Sequence, residues 1–176
     1  MNRDKLVKII VPIIIVVIIA GIWGIKNIVK PKSISDESNK VTKDFELQTT
    51  SIDIELLKKY KLPIIIDFGA DTCVPCKEMA PVLQKINEEM QEKAIIKFVD
   101  VNKNRDVSKD FPIQVIPTQI FFTADGKPYV PKEDLGIDFI TYSYKDTNEH
   151  AFTVHQGGLT EEEFRIILSD MGENND

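Results

Sequence analysis

The chain has 176 residues, room for one ordinary domain plus an anchor or tail but not for two full domains. Its composition, 43% hydrophobic and 28% charged, is that of a globular rather than a disordered chain. Net charge is −6. The first 30 residues hold five basic side chains and one acidic, so the other 146 carry −10, which argues against nucleic acid and anionic membrane surfaces as partners.

Residues 1–8 form a short basic tail. Ile9 to Ile25 then runs for 17 residues without a charge. As a helix it spans about 26 Å, and Ile28 and Val29 extend it, so residues 9–29 read as an uncleaved transmembrane anchor. Trp23 falls where an interfacial ring is favoured. A cleaved signal peptide is the competing reading, but its apolar core is usually shorter, and Ala20 to Gly24 matches a cleavage site weakly. Basic residues flank the segment equally, so charge does not set orientation. The short leading tail is the usual arrangement for a domain placed outside the cytoplasmic membrane. Residues 30–45, rich in Ser, Lys, Asp and Glu, are expected to be a flexible tether, and residues 46–173 the folded domain.

Within that domain, Ser51 to Tyr60 has the apolar spacing of a short helix, with Ser51 as a candidate cap. Pro63 ends it. Ile64 to Phe68 reads as a strand covered on both faces, with Asp67 its one polar member. A helix is expected from Cys73 to Gln91, kinked at Pro81. A strand follows at Ile95–Val101, then a short helix at Asn104–Phe111 and a strand at Thr118–Thr123. Asp125-Gly126 signals a hairpin returning through Tyr129-Val130. Residues 131–150 resolve into no element and are treated as a hairpin insertion. Ala151 to Val154 reads as an edge strand. Thr160 and Glu163 form a capping box for a last helix ending near Met171. The order implies an α/β fold, a mixed sheet flanked by helices.

The chain has two cysteines, three positions apart, where a strand gives way to a helix. Two sulfur ligands are too few for a closed zinc site, and the spacing of His150 and His155 does not point to ligation. Cys73 and Cys76 can form a local disulfide. Cys73 sits where unpaired N–H groups stabilise a thiolate, the attacking species in disulfide exchange, and Cys76 can resolve a mixed disulfide. Burial raises the pKa of Asp67, so it can relay a proton to or from Cys76. Pro117, leading into a strand, is a candidate cis-proline.

The stretch IIIDFGADTCVPCKEMAPVLQKI, with VIPTQIFFTADGK, resembles the thioredoxin family in its membrane-anchored bacterial form. The resemblance implies a thioredoxin-like fold without cofactor or metal. It implies Asp67 as buried acid, Cys73 as nucleophile, Cys76 as resolving cysteine and Pro81 as the helix-kinking proline. Lys77 matches the lysine after the second cysteine. Val74, Pro75, Ile116, Pro117 and Gly157 fall on the implied substrate surface. Gly69 and Thr72 replace the family's two tryptophans, and Phe98 stands where a lysine usually faces the aspartate. Lys97 should point to the opposite side of its strand. The expected function is reduction of extracytoplasmic protein disulfides. The expected partners are protein thiols or disulfides and a redox donor such as a membrane electron-transfer protein. The alternative is a weakly active peptide-binding or chaperone module using the groove beside Pro117.

Overall fold

In this computed structural model the described residues are 43–172. The expected anchor at 9–29 and most of the expected tether lie outside them. Among the described residues no helix is long and apolar enough to cross a membrane. Residues 43–45, placed in the expected tether, are helical, and Phe45 is buried in the core against Tyr60. The packed domain therefore includes residue 43.

Helix α1 (Ile54–Leu57) continues into a 3-10 turn at Lys58–Tyr60. Its cap is Asp53 rather than Ser51: Asp53 Oδ1 accepts from the Leu56 N–H at 3.0 Å. Strand β1 (Ile64–Gly69) is buried along its whole length, as its apolar run requires. Helix α2 (Val74–Glu89) passes through Pro81 without a break. Strand β2 (Ile95–Asp100) lies parallel to β1, and β3 (Thr118–Phe122) pairs antiparallel to β1 on the other side. Helix α3 (Arg105–Ser108) is a single turn between β2 and β3.

The hairpin differs from expectation. Tyr129 and Val130 do not extend a returning strand. One bridge joins Phe122 to Pro128, and the Tyr129 N–H donates to the Phe121 carbonyl. Pro128 and Pro131 flank this pair and have no N–H, so the ladder stops. The returning strand is β5 (His150–Gln156), antiparallel to β3. The insertion supplies a further strand, β4 (Ile140–Ser143), giving the sheet order β2-β1-β3-β5-β4. The expected edge strand is thus interior, and the edge belongs to the insertion. Helix α4 (Glu161–Gly172) closes the domain, its start held by the Thr160–Glu163 capping box.

Two apolar cores result. On one face of the sheet, Ile65, Ile96 and Phe121 meet Met79, Leu83 and Ile86 of α2 and Phe164 and Ile167 of α4. On the other, Ile64, Ile66, Phe68, Val99 and Ile120 pack with Phe45 and Leu57. Asp67 belongs to the first face, so the α2 side of the sheet carries the site.

Candidate active site

Cys73 is the cap residue of α2 and Cys76 lies in its first turn. The two are joined by a disulfide, with Cα atoms 5.3 Å apart. The Cys76 N–H donates to Cys73 Sγ at 3.2 Å. The capping position is thus filled by sulfur, and on reduction the same amide and the helix dipole favour a thiolate there. Pro75 sits in the first helical turn, where its missing N–H costs nothing. Cys73 is half-buried and Cys76 buried, so the first is the more accessible of the two sulfurs.

The Ile116–Pro117 peptide bond is cis. It places the Ile116 carbonyl 3.7 Å from Cys73 Sγ. The segment is tied on both sides: the Gly157 N–H donates to the Pro117 carbonyl at 2.9 Å, and Thr118 Oγ1 donates to the Val115 carbonyl at 2.7 Å. Gly157 has φ +126°, a conformation that favours glycine. The structure therefore brings together Cys73, Ile116, Pro117 and Gly157. Val74 and Val115, 63% and 51% exposed, add an apolar rim on the cysteine turn and on the loop before Pro117.

Asp67 is 1% exposed. Burial pushes its carboxyl up to about 7, and the hydrogen bond from Gln119 pulls the other way. Gln119 Nε2 donates to Asp67 Oδ1 at 2.7 Å, while Oδ2 has no protein partner. Asp67 and Cys76 line one cavity of about 140 Å³ with Ala70, Lys77, Leu83 and Phe98. Gln119 escaped the sequence reading, because a lone glutamine in an apolar strand carries no motif.

The departures around the cysteines are packed against one another. A Cβ on Gly69 would lie 2.8 Å from the Phe98 ring and 3.3 Å from Cys76 Sγ. A side chain at 69 would require the Phe98 ring to shift. Thr72 is exposed and its hydroxyl accepts from Asn102 Nδ2 at 3.3 Å. Lys97 points away from Asp67, its ammonium donating to the carbonyls of Glu46 at 2.6 Å and Lys43 at 3.2 Å. His150 and His155 lie on β5: His150 Nε2 is 2.9 Å from Thr153 Oγ1, and His155 Nδ1 donates to the Asp138 carbonyl at 2.9 Å.

A mixed sheet, a Cys-x-x-Cys pair starting a helix and a cis-proline against the first sulfur define the thioredoxin-fold class of dithiol proteins. The chain belongs to the thioredoxin family, whose model, described as Thioredoxin, matches residues 43–135. It is 37% identical over 81 residues to Thioredoxin Y, chloroplastic, of Oryza sativa subsp. japonica, covering 46% of this chain and 48% of that one. It is 38% identical over 68 residues to the thioredoxin of Borreliella burgdorferi, covering 39% of this chain and 58% of that one. It is 38% identical over 79 residues to the thioredoxin of Alicyclobacillus acidocaldarius, covering 42% of this chain and 74% of that one. The chain thus spans about half the length of the first two relatives.

Proposed function

We propose that this chain is a thiol–disulfide oxidoreductase that reduces disulfides of extracytoplasmic proteins from a membrane anchor at residues 9–29. The observation that carries the chemistry is the position of Cys73: a half-buried sulfur at a helix start, bonded to Cys76 and facing the Ile116 carbonyl that precedes Pro117. The uncharged run Ile9–Ile25 supports the anchor, and the short leading tail supports the outward domain, in the bacterial arrangement.

The cycle starts from the reduced pair. The Cys73 thiolate attacks one sulfur of a substrate disulfide, forming a mixed disulfide and expelling a substrate thiolate, which takes a proton from water. Cys76 then loses its proton to Asp67 and attacks Cys73 Sγ. The Cys73–Cys76 bond forms, the bond to substrate breaks, and the second substrate thiolate leaves with the electron pair and is protonated. Two electrons pass to the substrate; of its two protons, one comes from water and the other from Cys76 by way of Asp67, which is left ionised again. A dithiol donor, on our reading a membrane electron-transfer protein, returns the pair to the reduced state. Val74, Pro75, Ile116, Pro117 and Gly157 form the surface on which an extended substrate segment lies.

Insulin reduction driven by dithiothreitol tests the activity. Catalysis lost in Cys73→Ser is the expected result. Absent turnover in the native chain, with peptide binding that survives loss of both cysteines, would make this a binding module instead. Trapping with Cys76→Ser in membranes identifies the substrates as mixed disulfides on Cys73. An exclusively cytoplasmic set would refute the location.

A further inference from the structure

Asp67 and Gln119 are direct cross-strand partners of β1 and β3, and both are buried. A carboxylate only accepts, so the Gln119 amide must present Nε2 to it, as it does at 2.7 Å from Oδ1. The same nitrogen lies 3.7 Å from Met79 Sδ, and that sulfur also accepts the Leu159 N–H at 3.2 Å. The amide is therefore held between β3, α2 and the entry to α4. One carboxyl oxygen is occupied and the other is free. Among the described residues no basic side chain bonds to this carboxyl, although Lys77 lines the same cavity. From β2 its neighbour is Phe98, while Lys97 points to the other face and Asp100 is engaged by Lys103. From α2 come Cys76 and the exposed Lys77, and from the preceding loop the exposed Asp71, which is paired with Lys103. On β5 the partner of Gln119 is His155, whose Nδ1 is engaged by the Asp138 carbonyl.

We propose that Gln119 is the positioning residue for proton exchange at Asp67. It holds Oδ1, leaves Oδ2 as the oxygen that takes the Cys76 proton, and stabilises the ionised, proton-accepting state with a neutral dipole where Phe98 supplies no cation. In the resolving step the Cys76 S–H bond breaks and its proton goes to Oδ2. The Cys76 sulfur keeps the electron pair and bonds to Cys73 Sγ, and the substrate thiolate departs with the pair of the broken bond. This rests on the reading of Cys73 and Cys76 as an exchanging pair.

The experiment is a pH titration of the Asp67 carboxyl by carbon-13 NMR, on the oxidised full chain solubilised in mild detergent, with and without Gln119→Met. Because the amide favours the ionised form, its loss should move the Asp67 midpoint upward by about one pH unit. The pH profile for resolution of a mixed disulfide should move the same way, and Gln119→Met should shift nothing further in an Asp67→Asn background. A folded variant with an unmoved midpoint overturns the proposal. In the native protein the Gln119 side-chain amide resonances should titrate with the Asp67 midpoint. Flat resonances overturn the proposal even where the variant does not fold. Both NMR readings use oxidised protein, so they stand or fall separately from catalytic turnover.

Discussion

Asp67 on β1 and Lys97 on β2 are both ionisable, both nearly inaccessible at 1% and 4% exposure, and on opposite faces of one sheet. They are handled in different ways. Lys97 donates to two backbone carbonyls of the segment before α1, with the charges of Asp44 and Glu46 nearby. Burial pulls its pKa down, and those acidic groups oppose the shift. Asp67 has one neutral donor, one free oxygen and a cavity shared with Cys76. A charge that fastens structure is given acceptors. On the proposed mechanism Asp67 exchanges protons, and its incomplete satisfaction leaves neither protonation state locked in.

The largest effect expected from breaking this comparison is on stability at Asp67. Its ordinary pKa is 3.8 and burial carries it to about 7. Between those values the unfolded chain releases a proton that the folded chain keeps. Stability from the protonated carboxyl is therefore full below the lower value, falls as pH rises, and stays lost above the upper one. Asp67→Asn should thus stabilise the fold by roughly 4 kcal/mol at alkaline pH and by little in acid. Urea unfolding of both proteins at the two extremes checks the sign. An equal gain at both would show that the effect is not ionisation.

Phe98→Lys should come next, because it moves the cation to the Asp67 side. Phe98 is the register partner of Asp67, so a lysine there should lower the Asp67 midpoint by about 1–3 units. The carboxyl titration reads this directly. Lys97→Met should have a smaller effect and on a different property. It removes two charge-assisted hydrogen bonds, so it should cost about 1–3 kcal/mol and speed amide exchange across residues 43–48. The Asp67 midpoint should not move. If it did, the two charges would be one network rather than two solutions.

The parts of the site that could be read from sequence are those with local signatures. Cys73 and Cys76 carry their meaning in their spacing and in the strand that precedes them. Asp67 stands out because a carboxylate interrupts an isoleucine run. The direction of Lys97 follows from strand alternation. Gln119 was invisible because its role depends on a partner 52 residues away and on the β1–β3 register. The insertion was obscure for a related reason. Ile140 to Ser143 lies among charged residues, and only pairing with β5 makes it a strand. The Asp125-Gly126 turn was a true signal that pointed to the wrong returning strand. Two prolines ended the pairing, and β5, further along, took the place beside β3. Phe45 showed no periodicity of its own and is placed by the core it enters.

The most direct test is the rate at which Cys76 resolves a preformed mixed disulfide on Cys73, measured in single turnover from pH 6 to 9. With Asp67 as the proton acceptor, the native rate should rise through a midpoint near 7. Asp67→Asn should be slower by about 10²-fold and lack that inflection. Superimposable profiles for the two proteins would contradict the role given to the buried carboxyl.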